Sequence, residues 1–201
     1  MDLIVGSVEK IRELIDNCGC EEGDIVLRTD PDIVNCQYER GACMVATFGG
    51  KTAQFVTDNP VSALTKLSFL FGAPLEVPQA RSAAAAVVNV LAGFFSLSRV
   101  QHACPRRDHM ACREELKAVL NGKRIFCTGD MQVIPAEFSG MVAGSPDDAD
   151  IILFNGEGTI SPGAGDIVAA FRGKKEILCL GPSTSGVARL NSLLHWCPYG
   201  S

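Results

Sequence analysis

The chain lacks three features that would assign it to a well-defined class of proteins. It has no stripe of lysine and arginine, and its net charge of -5 argues against a surface that binds nucleic-acid phosphates. Its first residues carry no basic segment of the kind that opens a secretory signal peptide. Its most apolar stretch, 83–97, is interrupted by Asn89 and Gly93 and is too polar for a membrane span. We therefore expect a cytoplasmic protein that binds neither nucleic acid nor a membrane.

Cysteine, in contrast, is abundant. The chain has nine cysteines, and without an export signal we expect reduced thiols rather than a disulfide framework. Cys127 and Cys179 lie inside apolar strand patterns, where cysteine behaves as a small buried hydrophobe. Cys18 and Cys20 flank Gly19 in a C-x-C pair, which is a weak metal signal and more often reflects local packing.

The first half of the chain changes from a helical to a strand-like pattern. Residues 2–17 have apolar positions at helical spacing and predict an amphipathic helix that stops near Gly19. Four β-rich runs then predict an antiparallel meander, with a hairpin turn at Gly49-Gly50-Lys51. These runs are 25–27, 33–38, 42–47 and 52–57. Residues 63–71 predict a short helix, and 79–97 an Ala-rich helix that is apolar on nearly all faces and therefore buried.

The last third of the chain has a different pattern of apolar residues. Three short apolar runs, 123–129, 149–156 and 175–181, each end in glycine at a spacing of about 26 residues. Helical patterns such as 164–171 lie between them. Continuous apolar strands that alternate with helices predict parallel β/α units.

We therefore predict an α/β protein in two domains. The first, 1–122, is an α+β domain with a helix and an antiparallel meander, and the second, 123–201, is a Rossmann-like parallel β/α domain. The second domain has no G-x-G-x-x-G pattern, so it carries no NAD fingerprint. A homodimer is compatible with the sequence, although no sequence feature supports it.

The carboxyl ends of the predicted parallel strands are the expected ligand-binding region. Glycine lets the backbone approach a ligand closely, and helix starts offer unpaired amides to an anion, although tight turns and helix caps use the same residues. The cofactor-binding candidates in these loops are Gly129, Asp130, Asn155, Gly156, Glu157, Gly158, Thr159, Gly181, Ser183, Thr184, Ser185 and Gly186.

A short stretch between two helical patterns concentrates metal-binding side chains. It contains His102, Cys104, His109 and Cys112, and Cys197 would complete the set if the C-terminal tail folds back. Thiolates and imidazoles suit zinc, iron or an iron–sulfur cluster. The spacing from Cys104 to Cys112 is wider than the C-x2-C spacing of common zinc motifs, so distant residues would have to complete the site when the chain folds. The alternative is that buried thiols and a capping Asp108 simply hold an interdomain connector.

Several of these stretches resemble a known family when they are read in order. They are His102-x-Cys104 with Cys112, the Asn155-Gly-Glu-Gly-Thr loop, the Gly181-Pro-Ser-Thr-Ser-Gly loop and the terminal Trp196-Cys-Pro-Tyr-Gly. Together they resemble the uncharacterised Rossmann-like proteins known as a heavy-metal chelation domain, and the resemblance covers most of the chain. It extends to Gln79-Ala-Arg-Ser-Ala, and it implies a first domain similar to the small domain of enolases.

The expected function is binding rather than a named reaction. We expect the chain to bind a metal, a metal-containing cofactor or an anionic small molecule at the interdomain cleft, through Cys and His side chains and Gly-rich loops. The alternative is an enzyme that acts on a small anionic metabolite. Cys104 or Cys112 would then be the nucleophile, or Asp130 and Glu157 would serve as acid–base groups. The sequence does not decide between the two.

Overall fold

The computed structural model describes residues 2–16 and 18–201 and contains two four-stranded sheets flanked by helices. The first sheet contains β1 Asp24–Thr29, β2 Ala42–Phe48, β3 Lys51–Thr57 and β4 Ala63–Lys66. The second contains β5 Ile125–Thr128, β6 Ile151–Phe154, β7 Glu176–Leu180 and β8 Leu194–Trp196. The helices are α1 Leu3–Ile15, α2 Pro78–Phe94, α3 His109–Leu120, α4 Val133–Glu137, α5 Gly156–Ile160, α6 Ala164–Phe171 and α7 Ser185–Leu190. No helix within these described ranges has the length and apolarity needed to cross a bilayer.

The opening helix α1 forms as its sequence pattern predicts. The Asp2 carboxylate caps its first turn by accepting hydrogen bonds from the amides of Ile4 and Val5 at 3.1 and 3.3 Å. Its apolar stripe, which includes Ile4, Ile11 and Ile15, is buried. The predicted helix extended to residue 17, and Asn17 lies outside the described residues.

The first sheet is antiparallel, as predicted, and contains three of the four predicted strands together with the edge strand β4. β2 and β3 pair from Ala42↔Thr57 to Phe48↔Lys51. Gly49 and Gly50 join them with φ values of +54° and +77°, the left-handed conformation that a two-residue hairpin turn requires. The strand order is β3-β2-β1-β4.

The prediction of a strand at 33–38 is wrong. This segment is irregular, because Asn35 Nδ2 donates to the Gly41 carbonyl at 2.8 Å and closes a local turn. The side chains of Cys36 and Tyr38 are buried in a core cluster of the second sheet. The apolar residues that suggested a strand are therefore buried by packing against the other half of the chain.

The prediction of a helix at 63–71 is also wrong in its first part. Residues 63–66 form the edge strand β4, in which Leu64 and Thr65 pair with Val26 and Ile25 of β1. Only Leu67–Gly72 is helical, as a 3₁₀ turn. The free edge of β1 offers ladder hydrogen bonds that a local helical pattern does not reveal.

The second sheet is parallel, with the consecutive order β5-β6-β7-β8. The fold is therefore α/β, with an antiparallel and a parallel part as predicted; β8 is an addition. Within the described residues, the parallel sheet has no reversal of strand order, the feature that opens the ligand crevice of dinucleotide-binding folds.

Both faces of the second sheet are covered. Ile152 and Phe154 face a large core shared with α1, α2 and the first sheet. Ile151 and Leu153 face a smaller core that includes side chains of α3 and α4. The two sheets thus share buried side chains, and the predicted domain division at residue 122 stays a prediction.

Candidate functional site

Residues 35–41, an irregular segment between β1 and β2 of the first sheet, lie over the carboxyl ends of the parallel strands. Asn155, directly after β6, donates from Nδ2 to the Tyr38 carbonyl at 3.3 Å. Gly181, directly after β7, is so close that a Cβ atom there would lie 3.1 Å from Glu39 Cδ. α/β proteins bind ligands at the carboxyl-terminal edge of the sheet, and here residues 35–41 of the same chain cover part of that edge. We call residues 35–41 the crossing segment.

Glu39 is the most unusual group of the crossing segment. It is 9% exposed, and neither carboxylate oxygen has a hydrogen-bond partner of normal geometry. Burial raises the pKa of Glu39 to about 8, although the Ser183 hydroxyl and the amides of Ser183 and Gly156 lie close enough to favour the charged form. At neutral pH this carboxyl group is therefore mostly protonated.

Four thiols lie near one another at this end of the parallel sheet, and those of Cys36 and Cys197 lie near Glu39. Burial raises the pKa values of Cys36, Cys104 and Cys197, and for Cys197 the value is about 12. Negative charge on Cys104 or Cys112 would raise the pKa of Cys197 further, and charge on Cys104 or Cys197 that of Cys36. The structure thus brings Cys104, Cys112 and Cys197 into one neighbourhood and adds Cys36, which the sequence did not single out as a ligand.

The C-terminal tail reaches this cluster by folding back on residues 101–102. The Ser201 carbonyl accepts hydrogen bonds from the amides of Gln101 and His102 at 2.6 and 2.7 Å, and the Ser201 amide donates to the His102 carbonyl at 3.2 Å. A Cβ atom at Gly200 would lie 2.6 Å from Cys197 Sγ, so glycine lets the tail turn tightly there. These backbone bonds hold Cys197 beside residues 102–112, which we call the central stretch.

The two candidate histidines differ in their surroundings. His102 Nε2 shares a 2.9 Å hydrogen bond with the Thr52 hydroxyl on β3. His109 Nε2 is buried without a partner, and burial lowers the pKa of His109. His109 is the first residue of α3, so the central stretch, which the sequence suggested was a connector, is already helical from His109 to Cys112. The buried Nε2 atom of His109 is therefore the unpartnered imidazole nitrogen near the thiols.

The donor set does not form a ready-made metal site. Within residues 2–16 and 18–201, no three His, Cys, Asp or Glu side chains converge so that they could hold a metal ion. Thiols, an imidazole and a carboxyl are suitable donors for a soft metal, but a closed zinc site needs four at once and a cluster needs four thiolates. The predictions of zinc, iron or an iron–sulfur cluster stay predictions.

The Gly-rich loops use many of their polar groups within the protein. The Gly158 amide donates to Asn155 Oδ1 at 2.8 Å, and the Gly186 amide donates to Asn89 Oδ1 at 2.9 Å. Thr159 donates to the Gly156 carbonyl. An anion at these amides would have to replace bonds that the chain already makes.

The loop after β7 is held in the same way. The Ser183 hydroxyl accepts from the Val56 amide at 2.9 Å, and its carbonyl accepts from Asn89 Nδ2 at 2.8 Å. Thr184 donates from Oγ1 to the Gly181 carbonyl at 2.9 Å. Ser185 Oγ is buried without a partner. These hydrogen bonds anchor the loop to β3 and α2, and the loop forms one side of the site.

The two carboxylates at strand ends make contacts with the first part. Asp130 forms a 3.2 Å ion pair with Arg40, and both side chains are more than half exposed. Glu157 accepts a hydrogen bond from the Asp58 amide at 3.2 Å. A Cβ atom at Gly129 would lie 2.0 Å from Asn155 Oδ1, so glycine is required where these loops meet. The carboxylates therefore bridge the two parts at the surface.

An open cleft of about 250 Å³ lies beside the crossing segment. Residues 37–40 form one wall, and Asp130, Gln132 and Val133 form the other. The Asp130–Arg40 ion pair lies at this cleft, and Glu39, which also lines it, lies against Gly181. A small polar ligand has room here without any change of the core.

Sequence reasoning missed Glu39, Cys36 and Tyr38 as members of the site. The Tyr38 hydroxyl lies 3.5 Å from Cys112 Sγ, and Gln37 donates to the His109 carbonyl at 2.8 Å. The sequence shows only that the charged Glu39 follows the aromatic Tyr38 between two strands. No periodicity distinguishes such a pair from a loop that is exposed to solvent. Asn89, which interrupts the apolar stretch of the sequence, makes hydrogen bonds with three carbonyls and one amide.

Comparison with known proteins finds distant structural neighbours of unknown function. No family model matches the chain, and no curated protein matches it. A solved protein of unknown function from the DUF364 family of Pyrococcus horikoshii is 12% identical, with 90% of this chain and 79% of that chain covered and a TM-score of 0.49. A second DUF364 protein of unknown function, from Desulfitobacterium hafniense, is 13% identical, with 92% and 82% covered and a TM-score of 0.44.

Proposed function

We propose that this chain is a binding protein whose ligand sits between the crossing segment, the central stretch and the C-terminal tail. The proposal rests on the Glu39 carboxyl group, which is buried beside the thiols of Cys36 and Cys197 and has no hydrogen-bond partner of normal geometry for either oxygen. Buried polar atoms normally have a partner, so an unpartnered carboxyl in a cluster of soft donors indicates a group that a ligand completes.

The ligand we propose is a soft metal ion or a metal-containing cofactor. The unpartnered groups are mainly lone-pair donors: the Glu39 oxygens, His109 Nε2 and, once deprotonated, the neighbouring thiols. A positive charge would compensate the cost that burial places on ionised Glu39. A cofactor that carries most of its own ligands needs only one or two protein donors, so the proposal does not depend on three preassembled ones.

Metal content and thiol substitution test this proposal. The full chain is purified without oxygen, its metal and sulfide are measured, and the apo protein is titrated with Cd²⁺ as a thiophilic probe. We expect Cys36→Ser, Cys104→Ser and Cys197→Ser each to lower the bound metal. Cys127→Ser is the matched control, because Cys127 is a half-buried thiol on β5 whose raised pKa of about 11 has burial alone as its cause.

Two results would overturn the proposal. One is the absence of stoichiometric metal in the anaerobic protein together with no Cd²⁺ binding by the apo form. The other is metal content that Cys36→Ser, Cys104→Ser and Cys197→Ser all retain in full. A loss of equal size in Cys127→Ser would indicate a general effect on folding, and far-UV circular dichroism distinguishes that case.

One observation favours the enzyme alternative in a specific form. With a pKa of about 8, Glu39 holds its proton at neutral pH and is tuned as general acids are. A cysteine nucleophile is less well supported, because burial raises the pKa of Cys104 and so lowers its thiolate fraction. An enzyme of this kind would lose turnover in Glu39→Gln and still bind its ligand, whereas a binding protein would show no turnover in either form.

A further inference from the structure

A pair of thiols at the end of α1 lies outside the candidate site. Cys18 is exposed and Cys20 is half-buried, whereas the other seven cysteines are buried or half-buried. All nine lie within the described residues, so Cys18 is the most accessible thiol of the chain. The neighbouring Cys18 thiol is the first cause of the raised pKa of Cys20, so the two side chains lie near each other across the C-x-C turn.

The backbone holds this pair in place. Gly19 between the two cysteines has a φ of +77°, and nothing lies within 4 Å of the position of a Cβ atom there, so a small molecule can approach. The Cys18 amide donates to the Ile15 carbonyl and the Gly23 amide to the Cys20 carbonyl, each at 2.9 Å. The turn is thus fixed on both sides, and the thiols need no large movement to meet.

We propose that Cys18 and Cys20 form a surface dithiol that exchanges with small disulfides and closes to an intramolecular disulfide. The other thiols of the chain are more buried and, as a group, are poorly placed for such exchange. This site shares no residue with the proposed ligand site, so the two proposals stand or fall separately. A disulfide that is exposed and closes a small ring is of the labile, reversible type.

The exchange takes place in two balanced steps. The Cys18 thiolate attacks one sulfur of the incoming disulfide; its S–S bond breaks, one thiolate leaves, and a mixed disulfide forms on Cys18. Cys20 then loses its proton to solvent and attacks Cys18 Sγ, and the second thiolate leaves. Two protein thiols are oxidised to one disulfide, and one small disulfide is reduced to two thiols.

Charge selects among small disulfides. The Cys18 thiol and burial raise the pKa of Cys20 most, and the charge of Glu21 next to the pair raises it further. Asp16 and Glu22 flank the turn in the sequence. A cationic disulfide is attracted to these carboxylates and an anionic one is repelled, and salt screens both effects. We therefore expect cystamine to react several-fold faster than oxidised glutathione at low salt, with a ratio that falls as salt is added.

Intact mass and thiol counting on the full reduced chain test this inference. After cystamine treatment, we expect the wild type to lose two alkylatable thiols, with a mass change of two hydrogens and both sites mapped to Cys18 and Cys20. Cys20→Ser should stop at a mixed disulfide on Cys18, and Cys18→Ser should react far more slowly. Cys127→Ser is the control and should behave as wild type.

Other outcomes would overturn it. A wild type that stops at the mixed disulfide would show that the pair does not close. Loss of thiols elsewhere, with Cys18 and Cys20 still alkylatable, would show that accessibility does not direct the exchange. Equal rates for cystamine and oxidised glutathione at low salt would overturn the part of the inference that rests on charge.

Discussion

At the scale of single residues, Glu39 is the group whose ionisation most destabilises the folded state near neutral pH. Its carboxyl is buried without a hydrogen-bond partner of normal geometry, and its pKa is about 8 against an ordinary 4.5. The native state therefore holds a proton that the unfolded chain releases. The contribution of this group to stability is complete below about pH 4.5 and is lost as the pH rises to 8.

Replacement of Glu39 by glutamine should therefore stabilise the protein at high pH. The loss of charge removes a penalty of roughly 3 kcal/mol at neutral pH, because each pKa unit corresponds to about 1.4 kcal/mol. We expect the stability of Glu39→Gln minus that of wild type to grow by several kcal/mol from pH 5 to pH 9 in urea denaturation. The thiols of Cys43 and Cys197 near Glu39 have pKa values of about 12, and burial raises the pKa of the Cys36 thiol well above its ordinary value, so these groups do not titrate in this window. A difference that is independent of pH would contradict this prediction.

Asn89 is the second residue on which the arrangement of the site depends. Its amide donates to the Ser183 carbonyl at 2.8 Å and its oxygen accepts from the Gly186 amide at 2.9 Å, with all these groups buried. Asn89→Ala leaves a buried donor and a buried acceptor unpaired, and we expect it to cost about 2–4 kcal/mol of the free energy of unfolding. Gln79→Ala, exposed on the same helix, is the control and should change stability by less than about 0.5 kcal/mol. Equal effects of both substitutions would argue against the network.

At the scale of elements, the loops after β5 and β6 meet at backbone distance. A Cβ atom at Gly158 would lie 2.3 Å from the Thr128 carbonyl oxygen, and backbone cannot move aside as a flexible side chain would. We expect Gly158→Ala to destabilise the protein by at least about 2 kcal/mol, as overpacking against a rigid neighbour does. Gly163→Ala should be close to neutral, because nothing lies within 4 Å of that position and its φ is negative. Thermal denaturation of the two variants measures the contrast, and similar melting temperatures would contradict it.

The elements also show where sequence reasoning succeeds and fails. Periodicity predicted α1, the β2–β3 hairpin and the parallel strands β5 to β7, because in these elements the side-chain pattern and the backbone period agree. Residues 33–38 have the composition of a strand, yet their burial comes from packing on the other half of the chain. Of the candidate site, the thiols could be predicted by type, but not the position of Glu39, because only tertiary structure brings it to Gly181.

At the scale of the whole molecule, the two sheets share one large core. Side chains of α1 and β3 pack in the same cluster as Ile152, Phe154 and Val187 of the second part. A Cβ atom at Gly156 would lie 3.3 Å from the ring of Phe55 on β3, so the first sheet directly contacts the loop after β6. Separation of the two parts would expose these side chains, and each large apolar side chain contributes about 1.5–3 kcal/mol by its burial. The parts should therefore lose their structure together.

We expect the chain to unfold in a single transition that both halves report. Trp196 is the only tryptophan and lies on β8, so its fluorescence reports on the second part, whereas far-UV circular dichroism reports on both. In urea the two midpoints should coincide. Phe55→Leu, a change in the first sheet with an expected cost of about 1–2 kcal/mol, should shift the Trp196 midpoint as far as the circular dichroism midpoint. If Phe55→Leu moved only the circular dichroism curve, the two sheets would be independent domains and the crossing segment would connect parts that unfold separately.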